Sequence, residues 1–322
     1  MKHALITGLF ISGSLVGFAQ GNQADIQQNG RANSHTVSQT GTNEKLTLIQ
    51  GTASNTAVQT QADVAMLGNA NEVFIQQAGF THQATVYAEG EQNAIKIDQL
   101  GSANQADVEI YANRDVKHSQ LLINQDGKTN EAHMGIQGGE NHRFTINQSG
   151  GGNTASMRQY YSSDNVFSID QDGRDNSAYV SQESDLAGDQ ASIRQLGNDN
   201  RAGVEFNDSE LYSSTRDNQA TINQQGNGNE ATIRVRLVGD LYELEGPFPD
   251  EIANNEAIID QHGDENTALL VQYGSDNFGK IQQSGSLNEA TLTQAGIGDM
   301  TTIVQNGSGN MSQVTQGATL AP

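Results

Sequence analysis

The stretch N-Q-A-T-I-N-Q-Q-G-N-G-N-E-A-T-I-R-V, residues 218–235, writes N-x-A-x-I twice, the second copy eleven residues after the first. Small, apolar and amide side chains fall at every second residue, at positions 0, 2, 4 and 6 counted from the Asn. That period belongs to an extended strand with one buried and one solvated face. The glycine two residues beyond the first amide sits where a tight turn needs a positive φ or a close backbone approach. The phrase therefore encodes strand, turn, strand.

The same unit, N-x-A-x-I-x-Q-x-G-x-x, runs through the chain as twenty-four arms in twelve pairs. First arms start at Asn22, Glu44, Asn71, Asn93, Ser119, His142, Asn165, Asp189, Asn218, Asn255, Asn277 and Asp299. Their partners start at Asn33, Asn55, His82, Asn104, Asn130, Asn153, Asn176, Asn200, Asn229, Asn266, Asn288 and Asn310. The spacing within each pair reads as eleven, so insertions are expected only between pairs. Two long ones, 206–217 and 236–254, are read as loop excursions, and the second contains Pro247 and Pro249, which cannot donate to a strand ladder.

Position 4 of the first arm is Ile in eleven copies and Leu48 in the other. Position 6 of that arm is an amide every time: Gln28, Gln50, Gln77, Gln99, Gln125, Gln148, Gln171, Gln195, Gln224, Gln261, Gln283 and Gln305. In the second arm position 2 is Ala in ten of twelve copies, whereas position 6 loses its Gln to Ala88, Ile110, Ile136, Phe206 and Val235. An antiparallel meander would leave all apolar positions on one uncovered face, and no segment remains to cover it. Folding the two arms of a pair face to face closes a core within each pair. The expectation is an all-β fold, a β-solenoid of about twelve two-strand arches whose arms stack as two parallel, in-register sheets. Stacking at about 4.8 Å per rung places amide over amide, and a side-chain amide has both the donor and the acceptor to bond the copies above and below it. The expected ladder residues are the twelve Gln above together with Asn33, Asn104, Asn130, Asn153, Asn176, Asn200, Asn229, Asn266, Asn288 and Asn310.

Composition agrees with an unusual architecture. Only 34% of the 322 residues are apolar, there is no Cys or Trp, and the net charge is −22. Such a charge repels phosphate and argues against a nucleic-acid partner. Lys2 and His3 precede an uncharged apolar run from Leu5 to Phe18, closed by Ala19, so residues 1–19 are read as a cleavable secretory signal and 20–322 as the repeat region. The run is too short to span a bilayer and no other segment suggests membrane insertion.

A Cys-free chain built of Q-x-G-x-x-N-x-A-x-x-x-Q units, such as Q-Q-G-N-G-N-E-A-T-I-R-V and Q-S-G-S-L-N-E-A-T-L-T-Q, resembles curlin, the subunit of curli fibres. The resemblance covers nearly the whole repeat region. It implies an amyloid-type β-solenoid exported through an outer-membrane secretion channel and assembled outside the cell, with a nucleator subunit, into a fibre for biofilm matrix, adhesion and aggregation. Regular repeats up to the C-terminus favour the major subunit over the minor nucleator. A soluble secreted binding solenoid is the alternative from another class.

No catalytic constellation, metal site or cofactor motif accompanies the repeats. The acids are scattered over outward positions and turns, including D-Q-D-G-R-D at 170–175, which is read as solvated surface. His35, His82 and His142 occupy ladder positions, where a structural role is expected. Finally, Ile303 and Gln305 of the last pair match Ile26 and Gln28 of the first, and no charged or proline-rich cap is evident at either end, so each end is expected to extend the stack of another copy.

Overall fold

In Gln190–Asn198 the residues Ala191, Ile193 and Gln195 are buried while Gln190, Ser192 and Arg194 face solvent, so the alternation in the sequence is the alternation in space. Parallel pairing then stacks like on like. Ile193 lies beside Ile169 on one side and Ile222 on the other, and Gln195 beside Gln171 and Gln224. The computed structural model describes residues 21–51, 57–110, 114–160, 162–182, 186–207, 214–236 and 251–317. The expected signal, 1–19, lies outside them.

First-arm strands, from Gln23–Gln28 and Lys45–Gln50 through to Met300–Ser308, form one parallel sheet of twelve stacked arms. Second-arm strands, from Ser34–Thr42 and Gln61–Asn69 to Met311–Gly317, form the facing sheet. No helix occurs among the described residues, and none is therefore long and apolar enough to cross a membrane. The chain is a parallel β-solenoid.

Between the sheets runs a single apolar core, in which the column Leu48, Ile75, Ile97, Ile123, Ile146, Ile169, Ile193, Ile222, Ile259 and Ile281 is at most 2% exposed. Larger side chains fill it at position 2 of two first arms and at a second-arm position that has lost its amide. Phe144 and Phe167 stack at 4.8 Å between ring centroids, and Phe206 continues the stack at 6.3 Å from Phe167. An amide replaced by an apolar residue thus extends the core instead of leaving a gap.

The second pair departs from the expected spacing. Its second arm starts at Thr60 and not at Asn55: Gln61–Asn69 pairs in register with Ser34–Thr42, and Ala62 takes the Ala position. An insertion therefore falls inside this pair, and Met66 joins the residues that replace the second-arm amide. The short pairings of Gly30–Arg31 with Ala57–Val58 hold the enlarged arch to its neighbours. The signal was present at Thr52, which stands where every other first arm has Gly.

Most of both long excursions lies outside the described residues, but their flanks are strand. Phe206 and Asn207 end the strand Arg201–Asn207, and Arg236 ends Glu230–Arg236. Each chain segment then rejoins the stack through a short strand that the sequence reading missed. Ser162–Ser163, Leu186–Ala187, Ser214–Arg216 and Glu251–Ala253 form a third, four-stranded parallel sheet, and Arg114–Lys117 and Gly138–Glu140 play the same part earlier in the stack. These short strands are thus stacked on one another, outside the amide columns.

Candidate functional site: the amide ladders and the open end rungs

Every first-arm Gln places its side chain inward because position 6 has the parity of the buried Ile. From Gln50 to Gln283 these amides are at most 2% exposed, and Gln28 and Gln305 lie at the two ends. Each Nε2 donates to the Oε1 of the next rung. The chain of bonds runs unbroken from Gln28 to Gln50 at 2.6 Å, Gln50 to Gln77 at 3.1 Å, and onward to Gln283 and Gln305 at 2.8 Å. The second N–H crosses the core, as from Gln125 to the carbonyl of Gln105 and from Gln148 to that of Glu131, both at 2.8 Å. Both amide donors are used, so no desolvated N–H is left over.

Asn at position 0 does different work. In the second arm the Oδ1 of one Asn accepts the main-chain N–H of the next, from Asn104 to Asn130 at 3.0 Å and so through Asn153, Asn176, Asn200, Asn229, Asn266 and Asn288 to Asn310. Its Nδ2 reaches a glycine carbonyl of the neighbouring turn, as in Asn200 to Gly226 at 2.8 Å and Asn229 to Gly263 at 2.7 Å. The column therefore pins each arch turn to the next. Asn33 bonds Thr60, and the column is interrupted at Thr60 and His82 before resuming at Asn104. Glycine is required in these turns by contact as well as conformation: at Gly150, with φ 104°, an added Cβ would meet the carbonyl oxygen of Gly173 at 1.9 Å.

Sequence reasoning missed the residue just before position 0. It takes a left-handed conformation in rung after rung, including Thr81 at φ 54°, Thr129 at φ 55° and Leu287 at φ 58°. Frequent Asn, Asp and Gly at that place, as at Asn43, Gly152, Asp164, Asp199 and Gly228, were the available signal.

Four ionisable groups stand in the first-arm position 0 column. Glu44 is fully buried, and burial raises its carboxyl above the usual range even though Asn71 donates to it. Asp189 accepts from the main chain and side chain of Asn218 at 2.8 and 3.0 Å. Asp299, in the last rung, has one carboxylate oxygen buried with no hydrogen-bond partner. Burial pushes His142 down to about 4, and its Nε2 lies 3.0 Å from Gln159. His82, in the second-arm column, is lowered for the same reason. These histidines substitute for ladder amides as neutral rings. Among the described residues no three His, Asp or Glu side chains converge on a point where a metal ion would sit.

At either end the stack stops with its cross-section in view. Ala24 and Gln28 of the first rung are exposed and Ile26 partly so, while in the last rung Thr301 and Val314 are only partly covered. Among the described residues nothing lies over either end. Stacked arches joined by buried amide ladders define a parallel cross-β repeat protein. The curlin associated repeat matches residues 68–101 and 253–285, so the chain carries repeats of the curlin type. Both matches span units whose second arms, Gln83–Glu91 and Thr267–Ser275, run without an excursion. A search of the curated proteins returned no match.

Proposed function

We propose that the chain is the structural subunit of an extracellular curli-type fibre, a functional amyloid that assembles end to end as biofilm matrix and supports adhesion and aggregation. The observation that carries this reading is the pair of end rungs over which no described residue lies, each with strand edges unpaired among the described residues and a partly exposed apolar core. A solenoid that stays monomeric covers such ends. The family relation supports a secreted, cell-surface location, export through an outer-membrane channel and initiation by a nucleator subunit. The fold and the repeat family are those of a structural protein and not of an enzyme. Purified protein lacking residues 1–19 is expected to form unbranched fibres after a lag, with a meridional reflection near 4.8 Å. A chain that stays monomeric at micromolar concentration, even with preformed seeds, would replace this reading with a soluble binding solenoid.

A further inference from the structure

Six methionines occur in the chain, and those beyond the expected signal fall into two kinds. Met66, Met134 and Met157 stand at positions 6, 4 and 4 of second arms, and the parity of those positions turns all three into the core at 0% exposure. Met300 and Met311 stand at position 1 of the two arms of the last rung, where parity turns them outward, 72% and 79% exposed. In the earlier rungs position 1 is never Met, and in the second arm it is always polar or charged, from Ser34 and Gln61 to Thr267 and Glu289. The thioethers that solvent reaches are thus gathered on one rung, one on each sheet.

That position also carries the main-chain donors that join rung to rung. Phe278 N donates to the carbonyl of Asp299 and Glu289 N to that of Asn310, both at 2.8 Å, and the position 1 N–H of each earlier rung points the same way, toward the higher-numbered rung. In the last rung these donors belong to Met300 and Met311, and among the described residues no strand follows to accept from them. Each exposed sulfur therefore belongs to a residue whose N–H marks the edge of the stack.

We propose that Met300 and Met311 form an oxidation site for small two-electron oxidants of the peroxide class, and that their sulfoxides cap the rung that carries them. The capping half rests on the fibre reading; the oxidation half does not. A lone pair of Sδ attacks one oxygen of hydrogen peroxide, the O–O bond breaks as the S–O bond forms, and the departing hydroxide removes the proton from the new S–OH group as water. The sulfur loses two electrons and the peroxide gains them. Close packing shuts this route to Met66, Met134 and Met157. The product is a polar side chain with an accepting oxygen in place of an apolar one. That oxygen can close a seven-membered ring on the N–H of its own residue, occupying the donor that the carbonyl of a following strand would take, and its burial then carries a desolvation cost. With one sulfoxide on each sheet, both arms of the rung are blocked together. The first rung holds no methionine, so an oxidised copy can still add to a growing stack by that end and then terminates it.

The test has two arms. Soluble chain lacking residues 1–19, treated with dilute hydrogen peroxide and mapped by peptide mass spectrometry, is expected to gain oxygen at Met300 and Met311 roughly tenfold faster than at Met66, Met134 and Met157, with the difference abolished in urea. Equal rates at all of them in the folded chain, or a last-rung pair as slow as the core methionines, would overturn the oxidation site whether or not fibres form. Seeded elongation reads the cap. Oxidised chain should elongate native seeds roughly fivefold more slowly than untreated chain, and enzymatic reduction of both sulfoxide epimers should restore the rate. The doubly substituted chain, Met300→Leu with Met311→Leu, should keep its own untreated rate after the same peroxide treatment. Equal growth of oxidised and untreated parent, or a double variant that peroxide slows as much as the parent, would overturn the cap while leaving the fibre reading intact. Failure of the untreated chain to form fibres would overturn the cap together with the fibre reading, and the peptide map would still decide the oxidation site.

Discussion

Gln224 donates to Gln261 Oε1 and to the carbonyl of Arg201, both at 2.9 Å, and accepts from Gln195. Gln224→Glu exchanges two donors for an acceptor facing acceptors in a desolvated column, at a cost of about 2–4 kcal/mol. Gln225→Glu, one residue on, is exposed beside Leu196 and His262 and should change stability by less than about 0.5 kcal/mol. Denaturant midpoints of the two variants compare the sites directly, and the Gln224 defect should shrink at acid pH, where a protonated carboxyl regains a donor. His142 gives a second residue-level case. Its folded value of about 4 lies below the unfolded 6.5, so the stability of the neutral ring is complete above pH 6.5 and lost as pH falls toward 4, by about 3 kcal/mol in all. Glu44 has the opposite sign: its raised carboxyl favours the fold below the ordinary carboxylate range and costs stability as pH rises through the folded value. His142→Asn, the residue most common in this column, should flatten the acid limb, and Glu44→Gln should raise stability at neutral pH. An unchanged acid limb in urea melts of His142→Asn would show that the ring is already solvated.

Element by element, the arms were legible because a buried column repeats its chemistry, and the joints were not because a turn is satisfied by conformation. The amide at position 6 announces itself by recurring; the left-handed residue before position 0 tolerates Thr81 and Leu287 and so leaves only a bias. The second arch was misplaced at Asn55 because N-x-A also occurs in the insertion, and only the register with Ser34–Thr42 selects Thr60. The short returning strands, two to four residues each, lie below what alternation can reveal. They carry a rule, however. Units without an excursion place Gly at position 8 of the second arm, as at Gly90 with φ 119° and Gly274 with φ 93°. Units with one tolerate other residues, such as Val116 and Ser162, because the chain returns to the stack from a different direction. Arg236 and Glu251 both precede that position, since Arg236 is in register with Tyr273 and Ala253 bonds Ser275 and Asp276. Deleting residues 237–251 and adding Ile252→Gly would therefore rebuild an uninterrupted unit. That variant should keep the stability and fibre growth of the parent, while the same deletion with Ile252 retained should lose about 1–3 kcal/mol through strain at a glycine φ. Equal melting of the two deletions would refute the assigned position.

At the scale of the molecule, two opposing charge effects act on assembly. A net charge of −22 is spread over a stack of twelve rungs, roughly 55 Å long at the strand spacing, so adding a copy brings like charges together along the whole solvated surface. The end rungs attract only at contact, through hydrogen bonds and apolar burial, whereas the repulsion reaches over the Debye length, about 10 Å at 0.1 M salt and about 3 Å at 1 M. Salt should therefore raise the seeded elongation rate steeply at low ionic strength and then level off as the screening length falls below the spacing of surface charges. Acidification also reduces the repulsion, but below pH 6.5 it favours chains whose His82 and His142 rings are released and charged over the stack, where burial keeps both rings neutral to lower pH. These effects have opposite signs, so elongation at fixed low salt should pass through a maximum on the acid side of neutrality and decline toward pH 4. In 1 M salt, with the repulsion already screened, the rise should vanish and only the decline remain. The measurement is the rate of fibre growth from sheared seeds across pH 4–8 at both salt concentrations. A rise on acidification that persists unchanged in high salt would mean that surface charge does not govern growth, and would move the pH dependence to the end rungs.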